Sequence, residues 1–238
     1  MRKHLMSLLL ASAASIGLSN TTKRGGTKVS IADINSVSGG VKVDDGETTA
    51  DINSVSGGII IGSKAKVESI NSISGGIKIG DFSQVKAVKS ASGSITIGRN
   101  VKLGSVDIVS GRIKIDDYCQ IKSLQTASGN IKAGKNVLVS DKVATVSGNI
   151  SFMQQANIGG DVQTHSGNIF LAENSSVKGD IIINKETCKL FKFSNGKYDH
   201  PKLELAEGVT VAGQIHLYWE VVLILPDSVE PTKVIRHY

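Results

Sequence analysis

Cysteine, proline and aromatic residues are all scarce in this chain. The two cysteines, Cys119 and Cys188, cannot build a disulfide framework, and they match no metal-ligand spacing. They read as two small buried thiols. Three prolines exclude a proline-rich disordered tail, and a hydrophobic content of 40% over 238 residues excludes wholesale disorder. One tryptophan, four tyrosines and five phenylalanines offer few platforms for stacking bases, and a formal net charge of +6 is modest. Nucleic acid is therefore not an expected partner.

Catalytic signatures are missing as well. The histidines (His4, His165, His200, His216 and His237) share no motif spacing, and there is no nucleophile elbow, phosphate loop or zinc motif. Asp44-Asp45 and Asp116-Asp117 stand at equivalent places four repeats apart. That is roughly 19 Å in a stacked fold, too far for an acid/base pair or a shared metal. Both pairs read as solvated corners. No enzyme, cofactor or metal site is expected.

The N-terminus has the layout of a secretory signal peptide. A basic head, Met1-Arg2-Lys3-His4, precedes an uncharged stretch from Leu5 to Leu18 containing Leu8-Leu9-Leu10 and then Ala11-Ser12-Ala13. The stretch is shorter than the ~20 residues that span a bilayer as a helix. Residues 1–19 are thus expected to direct export to the periplasm or the exterior, with no stable membrane span after their removal.

What the sequence does have is a repeat. Ser-Gly recurs at Ser38, Ser56, Ser74, Ser92, Ser110 and Ser128 with a spacing of 18, then at Ser147 and Ser166 with a spacing of 19. Four residues before the marker stand Ile34, Ile52, Ile70, Val88, Val106, Leu124, Val143 and Val162. Three and five after it the columns run Val41, Ile59, Ile77, Ile95 and Val43, Ile61, Ile79, Ile97, and continue apolar. Alternation at period two within each repeat predicts short strands with one buried face, and no helical period competes. One repeat cannot bury its own aliphatic side chains, whereas stacking each Ile on the Ile of the next coil, ~4.8 Å away, buries all of them. The expected fold is all-β: a single-stranded parallel β-solenoid of about 8–10 coils, right-handed and roughly triangular in section.

Other columns acquire structural tasks. Glycine after each marker serine fits a corner of positive φ, and Gly62, Gly80, Gly98 and Gly134 suggest a second corner. Asn130, Asn149 and Asn168 follow the corner glycine, where asparagine tolerates the left-handed region. Ser36, Ser54, Ser72, Ser90, Thr126, Thr145 and Thr164 form an inward hydroxyl column, and Asn35, Asn53 and Asn71 an amide ladder.

Domain boundaries follow: a signal peptide at 1–19, an N-terminal cap at 20–33, solenoid repeats at 34–184, and irregular C-terminal coils with a capping hairpin at 185–238. Three surfaces are candidates for binding. Outward Lys42, Lys78, Lys114 and Lys132 could face an anionic envelope glycan. Val37, Val55, Ile73, Val109 and Val146, immediately before the marker serine, point outward by strict alternation. Either a bulge turns them inward or they form an apolar stripe suited to assembly; a bulge or a shallow, partly covered stripe is the favoured reading. Tyr218 and Trp219 make a C-terminal aromatic pair that either plugs the solenoid end or contacts a ligand.

The pattern Ile-x-Ser-x-Ser-Gly-x-Ile-x-Ile-Gly, seen from Ile70 to Gly80, resembles two groups of bacterial β-solenoids over residues 34–184. One comprises adhesin-like and autotransporter-like proteins with recurring Val-Ser-Gly motifs. The other is the bactofilins, polymer-forming cytoskeletal proteins with coils of similar length. The first resemblance implies a structural, adhesive or scaffolding module of the envelope; the second implies self-assembly by edge or lateral contact. An export signal departs from the cytosolic setting of bactofilins. A polysaccharide-binding or polysaccharide-degrading β-helix is the remaining alternative.

Overall fold

Aliphatic columns can stack only if the chain returns to the same angular position once per repeat. The computed structural model, which describes residues 32–184 and 200–238, shows that return. The signal segment 1–19, most of the cap assigned to 20–33, and Cys188 lie outside the described residues.

Every strand pairing is parallel, and the strands fall into two sheets of ten and fifteen strands. The ten-stranded sheet takes one short strand of three or four residues from each coil, from Val41–Val43 and Ile59–Ile61 to Lys202–Leu205 and Val222–Ile224, so the rod has about ten turns. Register is one repeat: Ile59 faces Ile77, Ile70 faces Ile52 and Val88, and Asn53 faces Asn35 and Asn71. Among the described residues the sole helical turn is a short 3-10 segment, Pro231–Lys233. The fold is the parallel β-solenoid that the repeat predicts.

Two short walls make up the larger sheet. Through Gln120–Ser128 they are one nine-residue strand per coil (Thr48–Ser56, Lys66–Ser74, Gln84–Ser92, Lys102–Ser110). From there on each splits, first into Leu138–Val139 and Val143–Ser147. The split coincides with the change of period from 18 to 19. One added residue per coil interrupts the strand at the bend between the two walls.

The core is a column stack rather than a layer. Ile52, Ile70, Val88, Val106, Leu124, Val143 and Val162 are fully buried one above the other. Burying each such side chain stabilises by roughly 1.5–3 kcal/mol relative to exposure. Side-chain volume is matched between coils: Phe152, the largest fully buried residue, stacks on Ala133. The pair occupies about the space of two valines, so a large residue is offset by a small one, as a close-packed interior requires.

The C-terminal segment keeps to the same scheme. Ile169 pairs with Leu203, a step of 34 residues where 19 is usual, after which stacking resumes in register. Strands within 200–238 pair in parallel with earlier coils. Within residues 200–238 these strands form coils, without an antiparallel hairpin, and carry Leu203, Leu205, Ile215 and Leu217 into the core; residues 185–199 lie outside the described residues. Pro226 and Pro231, which carry no N–H, lie in the last turn and help to blunt the exposed edge.

The glycine after the marker serine serves two needs. Gly57, Gly75, Gly93 and Gly111 have φ of +119° to +136°, and a Cβ on each would fall on the carbonyl of the glycine one coil earlier. Gly39, first in the column, shares the positive φ (+128°) but has nothing within 4 Å among the described residues. The second corner differs from expectation. Gly62, Gly80, Gly98 and Gly134 lack positive φ; each is a close approach to the preceding coil, at three of the four to an aspartate. The left-handed residue comes two positions later, at Lys64, Phe82, Asn100, Tyr118 and Asn136.

Gly93→Ala should therefore lower stability by roughly 3 kcal/mol, and Gly39→Ala by only about 1 kcal/mol, since the first adds a backbone clash to the strained φ. Thermal unfolding followed by far-UV circular dichroism reads the difference; equal losses would refute a stacking role for the glycine column.

Candidate functional site

All four lysines of the predicted wall are exposed. Lys114 lies directly beside Lys132 in the sheet, and Thr96 separates it from Lys78. Two are already partnered within their own coil, Lys42 with Asp44 at 2.9 Å and Lys114 with Asp116 at 3.3 Å. The hydrogen bond to Asp44, reinforced by its charge, holds the Lys42 ammonium above its ordinary pKa. Ile60, Thr96, Ser151 and Phe170 interrupt the row. This wall is a set of separated charges rather than a continuous cationic face.

Corner carboxylates act on the backbone. Asp45 accepts from the Ser63 N–H (2.7 Å), Asp81 from Arg99 (2.8 Å), Asp117 from Lys135 (2.8 Å) and Asp161 from Asp180 (2.9 Å). Each clamps one coil to the next, satisfying a donor that the turn would leave free. Asn130, Asn149 and Asn168 do the same at the other corner, accepting from the N–H of Asn149, Asn168 and Lys202. Their φ angles are not left-handed, so the expected conformational reason gives way to this hydrogen bond. The amide ladder is present: Asn53 donates to Asn35 at 2.9 Å and Asn71 to Asn53 at 3.0 Å. The hydroxyl column bonds chiefly to backbone, as Ser90 does to the Ser92 carbonyl at 3.1 Å.

Cys119 occupies an inward position equivalent to Ser83, and the two side chains do the same thing. The Ser83 hydroxyl donates to the Gly62 carbonyl (2.8 Å) and the Cys119 thiol to the Gly98 carbonyl (3.0 Å). Burial pushes the thiol pKa up to about 11, so Cys119 is a packed thiol and not a nucleophile. Among the described residues no group of three or more His, Cys, Asp or Glu is placed to hold a metal ion.

The apolar column before the marker serine is not turned inward. Val37 is 61% exposed, Val55 45%, Ile73 43%, Val109 42% and Val146 50%. No bulge turns them inward; the outcome is the other half of the favoured reading, a shallow, partly covered stripe projecting from the outer wall. Ala91, Ala127 and His165 fill the intervening positions and are half-buried. The row from Val37 to Val146 spans six coil steps, ~29 Å.

Tyr218 and Trp219 do not form one patch. Trp219 is half-buried against the core, whereas Tyr218 is exposed and stacks on His237 with centroids 4.3 Å apart. His237 stacks in turn on His216, with 3.1 Å between ring nitrogens. The plug and the exposed contact, posed as alternatives, are divided between neighbouring residues. Beyond them a mouth of about 320 Å³, lined by Leu223, Leu225, Val229 and Val234, marks the end of the core.

Two features escape the sequence columns. Phe82 and Tyr118 are more than half exposed at left-handed corner positions, a conformation that bulky residues rarely adopt. Their place in a turn column was the available signal. The other is a shallow groove of about 630 Å³ on the wall that holds Lys66, Gln84, Lys102 and Gln120. Its lysines come from two offset columns, so no single column reveals them.

Asp117→Ala should cost about 1 kcal/mol of stability and Asp117→Asn little, because the amide oxygen can still accept from Lys135; denaturant unfolding measures both, and equal effects would point to charge instead. For Cys119 the native pKa is raised above its ordinary value of 9.0 to about 11. The buried neutral thiol thus favours the native state fully below pH 9, and that contribution is lost as pH rises through 11. Stability of the parent should fall over that window more steeply than that of Cys119→Ser, and parallel profiles would contradict the assignment. Comparison with known protein families, curated proteins and solved structures yields no match.

Proposed function

We propose that this chain is a non-enzymatic β-solenoid, exported to a bacterial envelope, that serves there as a structural, scaffolding or adhesive module. What carries the reading is the linear row of exposed aliphatic side chains from Val37 to Val146 on an otherwise regular wall. Exposed aliphatics repeating along a rigid line are unusual on a solitary soluble protein, and they mark interaction surfaces. The occupant we assign is a second copy of the same wall. The row, interrupted only at Ala91 and Ala127, can face a copy of itself, so two rods can pack side by side about a twofold axis. The amide ladder of Asn35, Asn53 and Asn71, two positions away, would form a polar rim.

End-to-end assembly into filaments is the second reading. It is favoured by the unpaired outer edges of the last strands, Val222–Ile224 and Val234–Arg236, and by exposed Val222 and Ile224. Against it stand Pro226 and Pro231 in the final turn, and the Lys233 ammonium, which already caps the Val211 and Ala212 carbonyls.

Sedimentation velocity and negative-stain electron microscopy separate these readings. Lateral pairing predicts a dimer that Ile73→Lys with Val109→Lys converts to monomer without loss of β-structure. Filaments insensitive to that pair support the end-to-end reading, and a monodisperse monomer at every concentration overturns both. Mass and N-terminal sequence of the protein recovered from each cell fraction test export.

A further inference from the structure

We propose that the groove on the middle wall is a binding site for a linear polyuronate, with Lys66, Lys86, Lys102 and Lys122 as the carboxylate-binding groups.

The groove runs between two outward columns at the start of the nine-residue strands. Val67, Val85, Leu103 and Ile121 point into the core, so the floor is the backbone beneath them. One rim is the residue before each of these, Lys66, Gln84, Lys102 and Gln120; the other is the residue after, Glu68, Lys86, Gly104 and Lys122. Reading up the rod, each coil contributes one lysine, and the rims alternate: Lys66, Lys86, Lys102, Lys122. All four are exposed. Adjacent lysines are thus about one coil rise apart along the axis, ~4.8 Å, and those on the same rim ~9.6 Å apart.

That zigzag is the charge pattern of an extended, 1→4-linked polyuronate with twofold screw symmetry. Each sugar advances the chain by about one coil rise and presents its carboxylate on alternate sides. The groove supplies hydrogen-bonding partners as well. The Gln84 and Gln120 amides lie opposite Lys86 and Lys122 and can meet ring hydroxyls. Gly104 interrupts the second rim, and a Cβ there would fall on the Lys86 carbonyl, so this part of the groove stays open between the two lysines.

The site already holds one stand-in for its ligand. Glu68 stands one coil below Lys86 on the same rim, and its carboxylate pairs with the Lys86 ammonium. A carboxylate from a bound glycan would replace it. The groove contains no aromatic side chain for stacking bases. The lack of a stacking platform and the alternation of the lysines therefore favour the uronate. This wall is not the one that carries the apolar row, so the site stands or falls independently of lateral assembly.

Titration calorimetry of the whole chain with polymannuronate oligosaccharides at low ionic strength tests the assignment. Binding should weaken as salt screens the exposed charges. Replacing all four groove lysines by glutamine should weaken it at least tenfold. The same change at Lys42, Lys78, Lys114 and Lys132 should leave it within a factor of about two, and Glu68→Gln should tighten it by removing the internal competitor. Circular dichroism verifies that each variant keeps its β-structure. No binding of the parent, equal loss from the other lysine wall, or tighter binding of oligothymidylate than of the uronate would each overturn the proposal.

Discussion

In-register stacking of one coil on the next at a single backbone spacing is the constraint on which the rest of the structure depends. Between the end coils, the walls pair their backbones with the neighbouring coil, so a residue's environment is set mainly by the residues 18 or 19 positions before and after it. The glycine column is the sharpest consequence. At the corner after the marker serine the backbones of successive coils come so close that a Cβ would occupy the position of a carbonyl, from Gly57 through Gly148. Gly39 alone escapes among the described residues, none of which lies within 4 Å of a Cβ there.

The same constraint sorts the polar residues into three kinds of work. Corner carboxylates and asparagines accept N–H groups from the next coil. Ser83 and Cys119 return a donor to the carbonyl of the coil before. The outward columns face solvent and are free to vary, and that is where recognition can be built: the aliphatic row on one wall and the lysine-lined groove on another. A rigid rod with separately specified walls can hold two kinds of contact without either disturbing the core.

Tolerance of the stack to change is limited but real. One extra residue per coil after Ser128 is absorbed by splitting a strand at its bend, with no loss of register in the flanking walls. The 34-residue step before Leu203 leaves the stack equally intact. Ala133 and Phe152 show that volume is conserved across neighbouring coils more strictly than at each position. Both are local solutions to the requirement that columns remain filled.

Nearly all of the fold was legible in the order of residues. A repeat of constant length makes environment a function of column, so burial of Ile59 or exposure of Lys78 follows from alternation alone. Alternation also placed Val55 and Ile73 outside, and the bulge considered for them was an unneeded exception. Tertiary structure alone decided three matters. It assigned Gly62 and its equivalents to close approach rather than to positive φ, because backbone angles are not encoded in which residue is small. It divided Tyr218 from Trp219, which lie in the bend just after the strand Ile215–Leu217, one turned outward onto His237 and the other against the core. It also brought Lys66, Lys86, Lys102 and Lys122 to one groove, because the two outward columns flanking Val67, Val85, Leu103 and Ile121 become one surface only once the coils stack in register, and no single column of the repeat records it.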